Sequence, residues 1–190
     1  MLETLTGTVL AVCHDRGISI DAVAPILRSG GFPGCHLASK LGVTSVLPLQ
    51  YKHTYEPSSS VHTCHRSPIG THGLPADAGI LLVDTNTVTG TIARRAAADI
   101  RAALPDCRIV FASVMLDVAL KALPGIDLIV SAHRTNEGRT LSGHAARQVG
   151  VSNDVYVFPW EELDEQWEQI QAAQSSPTPA QGIHRDNVST

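Results

Sequence analysis

The chain has 190 residues, of which 43% are hydrophobic and 17% charged, and its formal net charge is -4. These values are typical of a single globular domain with a sizeable core, and they provide no basic surface for nucleic acid. No apolar run reaches the roughly 18 residues of a membrane helix, and the first residues lack the pattern of a signal peptide, so we expect no membrane partner. The four cysteines form no C-x-x-C pair, which favours reduced thiols and a cytoplasmic location.

Hydrophobic periodicity predicts alternating helices and strands in the first part of the chain. A helix is predicted over residues 3–16, an apolar strand over 21–27, a second helix over 34–41 and a second strand over 44–49. Glycine-rich residues 28–34 join the first strand to the second helix. This order of strand, glycine loop, helix and strand is typical of an α/β fold with a parallel sheet.

Residues 51–75 differ from their surroundings because they are polar and lack sustained periodicity. A connection of this length inside a compact domain is usually a functional lid or a disordered segment. A zinc site is an alternative, since histidine and cysteine are zinc ligands, but the spacings match no standard zinc motif. The side chains concerned are His53, His62, Cys64, His65 and His72.

The second half of the chain continues the alternation of strands and helices. Strands are predicted over residues 80–83, 108–114, 127–132 and 155–158, and helices over residues 92–104, 116–123 and 160–173. The last residues, 174–190, are rich in Ser, Pro and Gln and are predicted to be disordered. We therefore expect one domain over residues 1–173, followed by a disordered tail.

The strongest functional signal follows the apolar strand at residues 80–83. Asp84 comes at the strand end and leads through a Thr/Asn/Gly cluster into the next helix. Ligands of open α/β sheets bind at the carboxyl ends of the strands, and small loop residues before a helix N-terminus favour phosphate. The plain alternative is that Thr89 or Thr91 only caps the helix.

Two segments of the chain resemble type I phosphoribosyltransferases. Residues 24–30 (APILRSG) resemble the P-I-L-R-A-G segment of the uracil enzymes and the R-G-G-L-x-P-G loop of the xanthine/guanine enzymes. Residues 82–90 (LVDTNTVTG) resemble the family signature for 5-phosphoribosyl-1-diphosphate. Residues 119–123 and 135–138 are similar to the uracil enzymes, and residues 157–161 to the closing segment of the xanthine-type enzymes.

The resemblance implies a central parallel sheet flanked by helices, with residues 51–75 as a flexible hood that closes over the site. It implies that Arg28 and Asp84 act in catalysis. The loop that contains Arg28, Ser29 and Gly30 would hold the diphosphate, and Asp84 would bind the ribose hydroxyls. Mg²⁺ would bridge the diphosphate and ribose oxygens as a cofactor. Because the family dimerises, we expect a homodimer.

The remaining residues implied by the resemblance bind the other parts of the substrate. The loop that follows Asp84 would bind the 5-phosphate, and Lys52 in the hood would neutralise the departing diphosphate, although an exposed charge on a loop is the alternative for Lys52. Met115 stands where the xanthine-type enzymes have a lysine that reads the purine oxygen, and Phe158 is a candidate wall of the base pocket. The substrate-binding set is Ser29, Gly30, Lys52, Thr85, Thr87, Val88, Thr89, Gly90, Thr91, Met115 and Phe158.

Several residues depart from the family pattern. Thr85 stands where many members carry a second acid, although the uracil enzymes also lack that acid. Val88 stands where the 6-oxopurine enzymes have an aspartate that assists proton transfer, and Ile92 replaces a serine or threonine. His133 and Arg134, after another predicted strand, are candidates for base or phosphate contacts or for a surface turn.

The first functional hypothesis is therefore transfer of phosphoribose between 5-phosphoribosyl-1-diphosphate and a nucleobase or related nitrogenous base. The second is a non-catalytic relative that binds nucleotide or 5-phosphoribosyl-1-diphosphate as a regulator. A third is a phosphoribosyl-handling enzyme of a specialised pathway with another acceptor. The residues of the base pocket match none of the known enzymes, so the acceptor stays open.

Overall fold

The computed structural model describes residues 1–54, 60–63, 69–71, 73–154, 156 and 158–159. Contacts divide the chain into two units, Met1–Tyr156 and Val157–Thr190, and every element described below belongs to the first unit. The predicted helix at 160–173 and the predicted tail lie outside the described residues, as do residues 155 and 157 of the strand predicted at 155–158. The domain boundaries therefore stay a prediction.

Within the described part of the chain, helices and strands alternate much as the sequence predicts. The helices are α1 (Leu2–Arg16), α2 (Gly31–Leu41), α3 (Thr91–Ala103) and α4 (Gly143–Gln148). The strands are β1 (Ala22–Leu27), β2 (Ser45–Val46), β3 (Leu49–Thr54), β4 (Ser60–Thr63), β5 (Gly79–Thr87), β6 (Arg108–Asp117) and β7 (Leu128–Thr135). None of these helices has the length and apolar character needed to cross a bilayer.

The strands form one sheet in the order β4-β3-β1-β5-β6-β7, and β2 pairs with β1 as a side branch. All pairings are parallel except that of β4 with β3, which is antiparallel. The first half of the central strand β5 is an uninterrupted apolar run, Ile80–Val83, and all four of its residues are fully buried. A strand covered on both faces is expected to show such a run instead of alternation. The predicted parallel sheet flanked by helices is confirmed.

Helices cover both faces of this sheet. On one face, α3 packs small residues such as Ala93 and Ala97 into a core cluster with Ile80 and Leu82. Leu81 and the other residues of β5 that point to the opposite face lie outside that cluster, because side chains alternate along a strand. Helices α1 and α2 pack against the sheet and each other. The carboxyl ends of β1 and β5, which are parallel neighbours, therefore meet at one edge of a rigid layer.

The predicted second strand needs correction, and the segment predicted as a hood contains strand residues that the sequence did not indicate. The strand predicted at 44–49 is divided at Pro48 into β2 and β3, since proline has no N–H to donate to a sheet. Within residues 51–75, the described part includes the end of β3 and the whole of β4. Tyr51 pairs with Thr63 in this antiparallel ladder.

Other predicted elements also differ from the structure. The helix predicted at 116–123 is wrong, because β6 continues as far as Asp117 and pairs there with Thr135 of β7. Helix α2 begins at Gly31, three residues before the predicted start, and Pro33 lies in its first turn, where a missing N–H costs nothing. Helix α4 was not predicted.

Candidate functional site

A first loop, Arg28–Ser29–Gly30, connects the end of β1 to the start of α2. The Leu27–Arg28 peptide is cis. The Gly30 N–H donates to Ile26 O at 2.7 Å, and the Gly34 N–H donates to Gly30 O at 2.9 Å. A Cβ on Gly30 would overlap the carbonyl oxygen of Val83 in β5 and lie 2.7 Å from Ile26 O. The loop therefore passes so close to both strands that only glycine fits at this position.

Asp84 lies beside this first loop, and its carboxylate links the loop to β5. Its Oδ1 accepts a hydrogen bond from Ser29 Oγ at 3.1 Å and another from the Thr85 N–H at 2.8 Å. Asp84 is only 7% exposed. A carboxylate at this depth needs donors, and these two supply them. The structure thus brings together Ser29, Gly30 and Asp84, which the sequence predicted as one site.

A second loop, residues 87–91, leads from β5 into α3. Gly90 is the N-cap of α3, with a left-handed φ of 66°, and it has no side chain with which to cap the helix. The alternative that Thr89 or Thr91 caps this helix is correct only in part, because neither is the N-cap residue but the Thr89 hydroxyl accepts from the Thr91 N–H at 3.4 Å. The two threonine hydroxyls also hydrogen-bond to each other at 3.0 Å. The N-terminus of α3 carries a partial positive charge, and an anion is the ligand that it favours.

Arg94, which the sequence analysis did not single out, lies against the second loop. Its Nη1 donates to Thr89 O at 3.2 Å and its Nη2 to Thr91 Oγ1 at 3.1 Å. The available signal was its position one helical turn after Thr91, which places the two side chains on the same face of α3. Its guanidinium adds a full positive charge to the partial charge of the helix N-terminus.

The other residues predicted for this loop have different environments. Thr85 is 1% exposed and Thr87 is 4% exposed, so both are packed within the sheet. The Thr87 hydroxyl hydrogen-bonds to Ser113 Oγ at 3.0 Å, whereas Val88 is half-buried. The threonine at position 85 thus provides no acid where many phosphoribosyltransferases have one, and its role as a substrate ligand stays a prediction.

The carboxyl ends of β5, β6 and β7 form the other side of the candidate site. Asn86, Met115 and His133 occupy neighbouring register positions on these three strands. Met115 is 2% exposed, and Asn86 Nδ2 donates to Glu137 Oε2 at 2.7 Å. Neither Asn86 nor Glu137 was assigned a role from the sequence, although an amide near the end of an apolar strand is a recognisable signal. Arg134 instead donates to backbone carbonyls.

The remaining predicted residues are exposed or belong to the second unit of the chain. Arg28 and Lys52 are exposed, the former at the start of the first loop and the latter on β3. Phe158 belongs to the second unit of the chain. The roles of Arg28, Lys52 and Phe158 therefore stay predictions.

A metal ion in this site would need ligands from the substrate. Within the described ranges, no three His, Cys, Asp or Glu side chains lie close enough together to hold a metal. Cys64, His65 and His72 lie outside those ranges, so the zinc alternative stays untested. Mg²⁺ binds through one or two carboxylates, substrate phosphates and water. At this edge of the sheet the Asp84 carboxylate lies between the first and second loops, both of which suit phosphate groups. One carboxylate beside substrate phosphates fits that mode of binding.

Several solved structures have a fold similar to that of this chain. No family model matches the sequence, and no curated protein matches it significantly. The structure is similar to the purine phosphoribosyltransferase of Pyrococcus horikoshii, with a TM-score of 0.56, 19% identity and coverage of 84% of this chain and 87% of that one. It is also similar to the xanthine-guanine-hypoxanthine phosphoribosyltransferase of Helicobacter pylori, with a TM-score of 0.54, 17% identity and coverage of 68% and 80%.

A third similar structure is a hypothetical protein of Neisseria gonorrhoeae with bound ppGpp, with a TM-score of 0.59 and 15% identity over 91% of this chain and 90% of that one. The chain therefore has the type I phosphoribosyltransferase fold. The resemblance noted in residues 24–30 and 82–90 is confirmed at the level of the fold. Because identities are below 20%, this likeness carries the fold alone.

Proposed function

We propose that this chain transfers phosphoribose between 5-phosphoribosyl-1-diphosphate and a nucleobase or related nitrogenous base, with release of diphosphate. The observation that carries the proposal is the hydrogen bond from Ser29 Oγ to Asp84 Oδ1, 3.1 Å long. It joins the first loop to β5, whose end leads into the second loop, and it links residues 55 positions apart in sequence. A substrate with a diphosphate at one end of a ribose and a phosphate at the other is the ligand that such a pair of loops fits.

The two loops would divide the substrate between them. In the second loop, the N-terminus of α3 and the hydroxyls of Thr89 and Thr91 suit the 5-phosphate, and Arg94 supplies the positive charge. In the first loop, the backbone around Ser29 and Gly30 suits the diphosphate. Asp84 would then lie between the two groups, within reach of the ribose hydroxyls.

The proposed reaction breaks the bond from the anomeric carbon to the diphosphate oxygen and forms a bond from that carbon to a base nitrogen. The base nitrogen gives up its proton to solvent, and the diphosphate leaves with the bonding electron pair. The negative charge of Asp84 near the ribose would stabilise the positive charge that develops on the ring. Bound Mg²⁺ would neutralise the leaving diphosphate, and the described residues would contribute mainly by positioning.

The finer parts of the proposal rest on the resemblance to the family. Lys52 would approach the departing diphosphate from the exposed side of β3, and Phe158 would contact the base. Residues 51–75 would close over the site and exclude water. A homodimer and a cytoplasmic location complete the proposal.

A second candidate function is non-catalytic binding of a nucleotide for regulation. It is favoured by the Neisseria gonorrhoeae structure, which contains ppGpp and matches 91% of this chain. It is also favoured by Thr85, whose buried hydroxyl replaces an acid found in many active members. The two phosphate-type loops suit both functions, so binding alone does not separate them.

Turnover separates the two candidates. The protein would be incubated with 5-phosphoribosyl-1-diphosphate, Mg²⁺ and a panel of nucleobases and other nitrogen heterocycles, and release of diphosphate would be measured. We expect release with at least one acceptor, loss of that release in Asp84→Asn, and unchanged release in the matched control Asp15→Asn, whose carboxylate is exposed on α1. If 5-phosphoribosyl-1-diphosphate or ppGpp binds but no acceptor supports release, the second candidate is correct.

A further inference from the structure

Two other segments of the chain support the second loop. A Cβ on Gly90 would lie 2.6 Å from Leu123 Cδ2, so the buried Leu123 side chain packs directly on the N-cap of α3. A Cβ on Gly138 would lie 3.4 Å from Val88 Cγ1, so these two residues are also close neighbours. Leu123 belongs to the turn segment after β6 and Gly138 to the loop after β7. The position of the second loop therefore depends on both segments.

Asp117 joins the two supporting segments. It is the last residue of β6 and is only 1% exposed. Its Oδ1 accepts a hydrogen bond from the Ala119 N–H at 2.9 Å, at the start of the segment that contains Leu123. Its Oδ2 accepts a hydrogen bond from the Gly138 N–H at 2.8 Å. One buried carboxylate thus fixes both of the segments that contact the second loop.

The two N–H groups explain why an acid stands at this position. Burial of a charge destabilises a fold unless hydrogen bonds compensate for the lost water. Both oxygens of a carboxylate accept hydrogen bonds, whereas asparagine has one accepting oxygen and a nitrogen that only donates. Asp117 can therefore hold two backbone segments at a fixed spacing, which an amide of the same shape does not do.

We propose that Asp117 is a positioning residue for the second loop and determines the affinity of that loop for phosphate. The inference rests on the proposed function and deepens it, because the 5-phosphate contact then depends on a residue that does not touch the ligand. Several N–H and hydroxyl donors must converge on one point to bind a phosphate. The first loop is positioned instead by β1 and β5, through Gly30 and Asp84, so its affinity for diphosphate should not depend on Asp117.

The test compares two probes that suit different loops. Ribose 5-phosphate has the 5-phosphate and no diphosphate, whereas inorganic diphosphate with Mg²⁺ suits the first loop. Asp117→Asn replaces one accepting oxygen by a nitrogen that faces an N–H, so the supports should shift. Ribose 5-phosphate should then bind about tenfold more weakly, a smaller effect than the roughly hundredfold loss in rate that a misplacement of about 1 Å can cause. The affinity for diphosphate, measured by the same calorimetric or NMR titration, should equal that of wild type.

Asp127→Asn is the matched control. Asp127 Oδ2 accepts from the Ile109 N–H at 2.7 Å, so this aspartate also fixes the backbone. It directly precedes β7 and therefore lies at the amino edge of the sheet, opposite the loops. The control should lose stability, as Asp117→Asn does, and should bind both probes as wild type does.

Gly138→Ala tests the same support with Asp117 intact, and it decides the question if Asp117→Asn does not fold. The added Cβ would lie 3.1 Å from Asp117 Oδ2 and 3.4 Å from Val88 Cγ1, so these neighbours must yield by a few tenths of an ångström. We expect the affinity for ribose 5-phosphate to fall about threefold. Gly143→Ala, at the start of α4, adds a Cβ that meets only Arg147 Nη1 at 3.7 Å and should change neither affinity.

A loss confined to ribose 5-phosphate, with both controls unchanged, supports the inference. It is overturned if ribose 5-phosphate binds the Asp117 and Gly138 variants as tightly as wild type. It is also overturned if Asp117→Asn weakens both probes equally, which is the result that a purely structural role predicts. In either case the proposed function stands as long as 5-phosphoribosyl-1-diphosphate binds wild type. If wild type binds neither the probes nor 5-phosphoribosyl-1-diphosphate, the proposed function itself fails.

Discussion

Replacement of Gly30 by alanine tests how closely the first loop approaches the sheet. The added Cβ would overlap Val83 O and lie 2.7 Å from Ile26 O, and both obstacles are backbone atoms of buried strands. Overpacking of this kind costs about 1–3 kcal/mol when side chains can yield, and we expect the upper end because a backbone carbonyl cannot rotate away. At this chain length a loss of about 3 kcal/mol lowers Tm by roughly 6–12 °C.

The assay is urea unfolding followed by circular dichroism, with Gly7→Ala as the matched control. Gly7 lies exposed within α1, where an added Cβ meets nothing within 4 Å, so alanine should stabilise the protein by about 1 kcal/mol through its higher helix propensity. The two Gly→Ala changes should therefore move the midpoint in opposite directions. A Gly30→Ala protein as stable as wild type would refute the close packing of the first loop between β1 and β5.

Two further predictions concern buried polar groups outside the site. The pKa of Tyr51 is raised far above its usual value of about 10, first by burial and then by the Asp99 carboxylate, which accepts a hydrogen bond from the Tyr51 hydroxyl at 3.1 Å. The stability due to neutral Tyr51 is therefore present below about pH 10 and is lost at higher pH. Tyr51→Phe should be less stable than wild type by about 1 kcal/mol at pH 8, and this difference in unfolding free energy should narrow above pH 10. A difference that widens as the pH rises contradicts this. Asn136 is fully buried, and its side chain hydrogen-bonds to Leu141 and Asn153 among others. Asn136→Ala should therefore lower the free energy of unfolding, measured in urea, by about 2–4 kcal/mol. A loss below about 1 kcal/mol would contradict these hydrogen bonds.

The sequence predicted best where a single local pattern determines the structure. The short apolar run at residues 80–83, bounded by turn residues, favours a buried strand, and the threonine and glycine cluster after it favours a sharp entry into α3. Gly30 and Gly90 could be recognised as loop residues because close approach and a left-handed backbone both favour glycine. These local signals were enough to predict the central β5–α3 unit, the first loop and the place of Asp84 between them.

The errors lie where distant parts of the chain decide the outcome. Residues 116–123 have helical spacing, but β6 extends because β5 offers a pairing partner as far as Leu116 and β7 as far as Asp117. The β3–β4 ladder has no strong alternating pattern, and its pairing depends on a partner strand. Helix α4 had a local signal in Ser142, whose hydroxyl accepts from the Ala145 N–H at 3.3 Å, but the helix is only six residues long.

The polar contacts of the site were also beyond prediction from sequence. Ser29 and Asp84 are 55 positions apart, and only the parallel pairing of β1 with β5 brings them into contact. The same holds for Asn86 and Glu137, which are 51 positions apart. Chemistry at a sheet edge depends on strand order, and that order is a property of the complete fold.

The most direct test of the central claim is calorimetric titration of 5-phosphoribosyl-1-diphosphate with Mg²⁺ into wild type and Asp84→Asn. Asparagine keeps an oxygen that accepts from Ser29 Oγ and the Thr85 N–H, so the variant should fold as wild type does and differ only in charge and in its contact with the ribose. We predict binding by wild type and binding weakened at least about tenfold in Asp84→Asn, the cost of one hydrogen bond to a charged group. Equal affinities would show that the ligand does not contact Asp84, and no heat with either protein would contradict the assignment of the two loops as a phosphoribosyl site.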